Sequence, residues 1–233
     1  MNLVGHVAVA LAPDAPPPST EYLVGCMLPD LAAIARVRVS RPDGELGAGV
    51  AFHHASDKAF HESAWFRATN RALRDALVDA GIESGPARAC SHAGVEMLLD
   101  GRLVTDEVVD THARVVLRAV DTGAPALAPL APAELRDVWV ERLQMIGSSL
   151  DPARYQDAQF VAERLQRMTS GRRRIELRPE HVDTVTAALR EFQVAIGDAA
   201  PDVVAMVRQT VLHHAASSQP VLSQPVPSPR RRG

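Results

Sequence analysis

Cysteine is nearly absent from this chain. Cys26 and Cys90 are the only two in 233 residues, too few for a disulfide framework, so a reducing, cytoplasmic setting is expected. Aromatic residues are scarce at 4%, which leaves alanine, valine and leucine to build the core. No uninterrupted apolar run approaches the roughly 18 residues a membrane-spanning helix needs, and a membrane span is therefore not expected. An excess of basic charge is also missing. The 25 Lys and Arg against 28 Asp and Glu leave a net charge of −3, which excludes the broad cationic face of a nucleic-acid-binding protein. The opening segment, Met1 to Pro13, is apolar but has no basic stretch ahead of it, and it reads as mature protein rather than a secretion signal.

Strict alternation of apolar and polar residues is rare, whereas spacing of three and four recurs almost throughout, so the fold class expected is all-α. The pattern predicts helices over 20–36, opened by Thr20 and bent or interrupted at Pro29, and over 47–62 and 63–81, the last ending at Gly81. It continues with 85–101, 104–120, 132–147, 153–168, 179–196 and 199–215, with a proline-bearing connection from Asp121 to Pro132. Residues 1–216 read as one helical metal-binding domain. The tail from 217 to 233, with four prolines and Arg230-Arg231-Arg232, cannot bury enough apolar surface to fold and is expected to be disordered.

Histidine is the residue in excess. Five of the nine lie before residue 93. His53, Asp57 and His61 are spaced i, i+4, i+8 and share one stripe of a helix; His92, Glu96 and Asp100 repeat that spacing on a later helix. Each column is set among apolar neighbours, so its charges need partners or a cation. Two such columns facing each other in a bundle could hold a metal ion, as carboxylate–histidine bundles do. His6 and Asp30 add two further candidates. His112, His181, His213 and His214 lack a partner spacing and read as surface residues, and Cys26 and Cys90 as small core residues.

Five segments in order resemble the acyl carrier protein phosphodiesterases, a branch of the HD-domain-like metal phosphohydrolases. They are Met1-Asn2-Leu3-Val4-Gly5-His6, Gly25-Cys26-Met27-Leu28-Pro29-Asp30, the stretch Gly49 to Asp57 with His53 four before Asp57, the pair Glu96 and Asp100, and the basic turn Met168 to Ile175. The resemblance covers roughly residues 1–210. It implies an HD-domain-like helical bundle and a metal site drawn from His6, Asp30, His53, Asp57, His61, His92, Glu96 and Asp100. The chain also departs from the family. His54 and Ala55 stand where the family carries arginines after the first histidine, His61 replaces an acid, and Gly101 replaces the histidine of an Asp-His pair, for which His92 could substitute. These changes shift the donor set towards nitrogen, so the expected cofactor is a divalent Mn, Fe or Zn ion, in unspecified number.

On this reading the chain is a phosphoric diester hydrolase. Bound metal polarises a phosphoryl oxygen and activates a water, with His54 and Asp57 as catalytic residues and His54 accepting the water's proton. Arg172 and Arg174 are the candidate phosphate ligands. The expected partner is a small phosphoester or an acidic carrier protein, docked on Arg164, Arg167 and Arg172 to Arg174. Other readings fit the same donors: a zinc-dependent phospholipase C or P1 nuclease-like hydrolase, an HD-like iron oxygenase, and a metal-binding homologue without activity.

Overall fold

The computed structural model describes residues 1–13 and 15–217, with side chains up to His214. The expected tail lies outside them from Ser218 onward. Among the described residues there are nine α-helices and no strand. They are α1 (Leu3–Ala10), α2 (Thr20–Ala35), α3 (Gly44–Glu62), α4 (Ala64–Asp79), α5 (Ser84–Leu103), α6 (Glu107–Leu127), α7 (Arg136–Ser149), α8 (Ala158–Thr169) and α9 (Val182–Ser217), with short 3-10 turns at Ala128–Leu130, Ala133–Leu135, Pro152–Gln156 and Pro179–His181. The protein is an all-α bundle.

α1 organises the bundle. Seven of its residues, Leu3 to Val9, are buried, and it touches α2, α3, α5, α6 and α9. A helix that is apolar on every side has no stripe for periodicity to reveal, and for that reason the sequence pattern does not predict it. Four of the other eight helices open on a side-chain cap, which fixes where the chain turns into each one. Ser19, rather than Thr20, accepts the amide of Tyr22, Ser63 that of Phe66, Asp106 those of Val108 and Val109, and Asp157 that of Gln159.

The prolines break fewer helices than expected. α2 runs through Pro29, α6 absorbs most of the expected connection and runs through Pro125, and α9 joins the two expected helices across Pro201. In α9 a continuous buried row, from Val185 and Leu189 through Ile196 and Ala200 to Val207, packs on both sides of that proline. The burial outweighs the one backbone bond that proline removes. Gly81 does end α4, at φ +90°.

Two glycines set the contact that matters most for the site. α2 and α3 pack against each other more extensively than any other pair, and they cross at Gly25 and Gly49. A methyl group on Gly49 would lie 2.1 Å from the Tyr22 carbonyl oxygen, and one on Gly25 would lie 2.2 Å from that of Leu46. Only glycine at both positions lets the two backbones touch.

Candidate metal centre

The close crossing of α2 and α3 brings His53 under the backbone of α2, where its Nδ1–H donates to the Cys26 carbonyl at 2.9 Å. That bond fixes the tautomer and leaves Nε2 with its lone pair. The ring of His6, from α1, lies 4.0 Å from that of His53, and Asp30 comes from the end of the same α2 segment. Donor atoms of His6, Asp30 and His53 all lie within 4.8 Å of one another.

This group has two histidine nitrogens and a carboxylate in an apolar setting. Burial drives His6 well below the usual histidine range, helped by His53 and the Met1 ammonium. Burial also lowers His53 to about 4 and lifts Asp30 to about 8. Asp30 Oδ2 is buried with no hydrogen-bond partner; His6 Nε2 lies 3.8 Å from it, and the charge of the Met1 ammonium pulls Asp30 down without overcoming burial. A buried oxygen left without a donor is costly, and it points at two imidazole nitrogens. That set fits a divalent transition ion. Ser56 supplies the supporting contact. Its hydroxyl lies 2.9 Å from His6 Nδ1 and can also donate to the carbonyls of Phe52 and His53. When it turns to those carbonyls, Nδ1 carries the proton and Nε2 becomes an electron-pair donor; otherwise Nε2–H donates to the Met1 carbonyl at 2.9 Å.

A second group forms where α3 faces α5: His61, His92 and Glu96. The rings of His61 and His92 stack with centroids 4.8 Å apart. His61 Nε2–H donates to Glu96 Oε1 at 2.9 Å, and its Nδ1–H to the Asp57 carbonyl at 2.9 Å. Burial opposes charge on His61, but the Asp57 carboxylate, with Oδ2 3.2 Å from Nδ1, and the Glu96 carboxylate raise it to about 9. Met1 links the two groups. Its ammonium donates to Asp57 Oδ1 at 2.8 Å and to Glu96 Oε1 at 3.1 Å. Burial works against both acids, yet hydrogen bonds from the histidines and the charge of the ammonium hold Asp57 and Glu96 below the usual carboxylate range. In return the two carboxylates outweigh desolvation and raise the ammonium.

Six of the eight expected ligands therefore gather in two groups, and two stand outside them. Asp57 serves the ammonium and His61. Asp100 is fully buried on α5 and spends both oxygens on α1: Oδ2 accepts from the Val4 amide at 3.0 Å and Oδ1 from the Gly5 amide at 2.9 Å. It caps the amino end of α1, for which Asn2 supplies no side-chain bond. Burial raises Asp100 to about 7 against the pull of those amides. Gly101 has its own cause. A methyl there would sit 2.4 Å from the Tyr155 backbone, so the turn at Pro152–Gln156 leaves no room for a histidine.

Other expected site residues lie apart. His54 is exposed on α3, its ring edge-on to His53 at 5.3 Å. Arg172 and Arg174 are exposed on the turn after α8. The Arg174 carbonyl packs against Gly85 at the start of α5, about 16 Å of helix from Glu96 at 1.5 Å per residue. The structure thus places them away from both donor groups. Arg167 is paired with Glu163 at 3.7 Å. Of the remaining histidines, His112 and His181 are half-buried and His213 and His214 exposed.

Sequence reasoning missed three contributors: Ser56, the Cys26 carbonyl and the Met1 backbone. Ser56 lies between His53 and Asp57 and was open to detection as the one small hydroxyl on that stripe; the two backbone groups carry no sequence signal. No helix among the described residues is long and apolar enough to cross a membrane. The chain matches no protein-family model, no curated protein and no solved structure.

Proposed function

We propose that this chain is a metal-dependent hydrolase of phosphoesters, built on an HD-like helical scaffold and similar in activity to acyl carrier protein phosphodiesterases. One observation carries the reading: Asp30 Oδ2, buried and unpartnered, converges with His6 and His53 in a site with no other use for it. The resemblance of five segments to that family supports the phosphoester assignment.

His6, Asp30 and His53 would hold one divalent ion, Mn, Fe or Zn, and His61, His92 and Glu96 are the candidate set for a second. A bound ion supplies Lewis acidity towards a phosphoryl oxygen and lowers the pKa of a coordinated water. The chain's own groups prepare for this. The Cys26 carbonyl orients His53, Ser56 selects the His6 tautomer, and Asp57 holds His61 in place. Ligation by the second group requires His61 to release the proton on Nε2. His54, outside both donor sets and beside His53, is assigned to accept the water's proton. The substrate is a small phosphoester or the prosthetic-group ester of an acidic carrier protein, and Arg172 to Arg174 are kept for docking such a partner rather than for the reacting phosphate.

Metal analysis of protein purified without added metal tests the reading. One or two equivalents of Mn, Fe or Zn, falling several-fold in Asp30→Ala, together with hydrolysis of bis(p-nitrophenyl) phosphate or holo-acyl carrier protein, is the expected result. Iron alone without hydrolysis would shift the assignment to oxygen chemistry. Failure to bind any ion, even with Mn or Zn supplied, would leave a homologue with a dead site.

A further inference from the structure

Between the end of α2, the extended segment that follows it and α3 lies a cavity of about 710 Å³. Its floor is apolar, from Leu28, Ala32 and Val50, and its rim carries Arg36, Arg38, Arg41 and His54. All four rim residues are exposed. Pro29 also lines the cavity and adjoins Asp30, while His54 adjoins and touches His53. The cavity therefore opens beside the first donor group.

The three guanidinium groups are not committed elsewhere. Arg74, Arg114, Arg118, Arg167 and Arg178 form ion pairs, whereas among the described residues Arg36, Arg38 and Arg41 have no carboxylate partner. The carboxyl end of α2 is already covered, because Arg142 Nη1 donates to the Ala35 carbonyl. The segment is also held in place. Ser40 donates its amide to the Leu130 carbonyl at 2.7 Å, and Val37 is buried, which turns Arg36 and Arg38 outward on either side of it. Arg36 itself ends α2 at φ +54°, the only non-glycine residue with positive φ among those described. That position normally favours glycine, and a long side chain there is strained.

The geometry points to this cavity as a binding site for a second anionic group of the substrate, a phosphate or carboxylate joined to the reacting phosphoester by a short apolar stretch. The inference rests on the hydrolase reading for the word substrate, but the anion site stands on its own residues. The volume suits a small ligand, within the roughly 300–1,000 Å³ of such pockets. A docked protein would instead cover about 800 Å² of surface. Arginine is suited to the role because its planar fork binds phosphate or carboxylate through two parallel bonds.

The test uses the full chain stripped of metal with chelator, titrated with inorganic pyrophosphate by calorimetry at low salt. Wild type should bind saturably in the millimolar range or tighter, and Arg38→Ala/Arg41→Ala should weaken binding about tenfold or more. Arg36→Gly should weaken it several-fold while the melting temperature holds or rises, since glycine relieves the left-handed backbone. Arg190→Ala, an exposed arginine on α9 outside the cavity lining, should bind pyrophosphate as wild type does. The site is overturned if wild type shows no saturable binding, or if both arginine variants bind equally well. Failure of the hydrolase reading shows differently, as absent metal and absent turnover with pyrophosphate binding intact. In the metal-loaded enzyme the double variant should raise KM for a bis-anionic ester and leave KM for bis(p-nitrophenyl) phosphate unchanged; equal effects on both esters would also overturn the assignment.

Discussion

Replacing Asp100 with alanine separates the role the structure gives this residue from the role its spacing suggests. Asp100 is fully buried, and its two oxygens accept the Val4 and Gly5 amides at 3.0 and 2.9 Å. Those amides open α1, the most enclosed helix of the bundle, and no other side chain caps it. Truncation leaves two buried N–H groups without acceptors, at about 1–3 kcal/mol each. The loss of an ordinary helix cap, about 0.5–2 kcal/mol, sets the lower bound. Asp100→Ala should therefore cost about 2–5 kcal/mol of folding free energy, which for a domain of this size lowers Tm by about 5–15 °C. Asp100→Asn keeps one acceptor oxygen and should lose about half as much. Urea titration followed by circular dichroism reads the stability, and metal analysis per folded molecule reads ligation. The argument predicts a large loss of stability with metal stoichiometry preserved in the molecules that remain folded. A change below about 0.5 kcal/mol, within the scatter of ordinary surface substitutions, together with a lost equivalent of metal, would make Asp100 a ligand and refute the capping role.

Three other consequences can be measured. Gly49→Ala should force α2 and α3 apart, because its methyl would meet the Tyr22 carbonyl at 2.1 Å; we expect at least about 2 kcal/mol of destabilisation and loss of metal binding, and an unperturbed affinity would show that the crossing does not position His53. Asp30→Asn should abolish metal binding at the first group while leaving the ion-free protein as stable as wild type or more so at pH 8, since it removes a half-buried carboxyl whose Oδ2 has no hydrogen-bond partner; a large drop in ion-free stability would reveal a partner for Asp30 and undercut the site. In chelator, folding stability should fall as pH rises from about 6.5 to 9, because the folded chain retains protons on Asp100 (to about 7), Asp30 (to about 8) and His61 (to about 9). The unfolded chain has released those protons, and the slope is about 1–2 kcal/mol per pH unit. Denaturation midpoints that stay flat or rise across that window would contradict it, and added Mn or Zn should reverse the trend as ligation expels the protons of Asp30 and His61.

The fold was largely legible, and the failures share a physical origin. Amphipathic helices such as α4, α6 and α8 declare themselves through one apolar stripe. α1 does not, because every face of it is covered. The prolines at 125 and 201 read as breaks because propensity counts the lost hydrogen bond, not the burial on either side of it. At the site, spacing found His53, His61, His92 and Glu96 because helix geometry alone puts them on facing stripes. It also placed Asp57 and Asp100 there, and they do lie on those stripes. Periodicity, however, cannot tell whether a carboxylate faces an ion, an ammonium or a pair of amides. That is decided by what the neighbouring chain brings, and here it is the first five residues.

The acids of this site illustrate how a bundle of low aromatic content keeps buried charge. Asp57 and Glu96 remain ionised because the Met1 ammonium and His61 lie against them. Asp100 is accommodated by two amides whose dipoles end on it. Each of these solutions is complete within the chain, so none of the three requires an external cation to stay buried, although Glu96 could also serve a second ion with His61 and His92. Asp30 is different. It has a neutral imidazole at 3.8 Å and an oxygen with no donor, and the Met1 ammonium acts on it without overcoming burial, so the price of that arrangement is met by staying protonated or by acquiring a closer positive partner. The distinction is why we propose His6, Asp30 and His53 for the first ion rather than the more numerous charges around Met1. The arginines of the neighbouring cavity, left unpaired and in one case strained, would then take the second anionic group of a substrate whose reacting phosphate such an ion draws in.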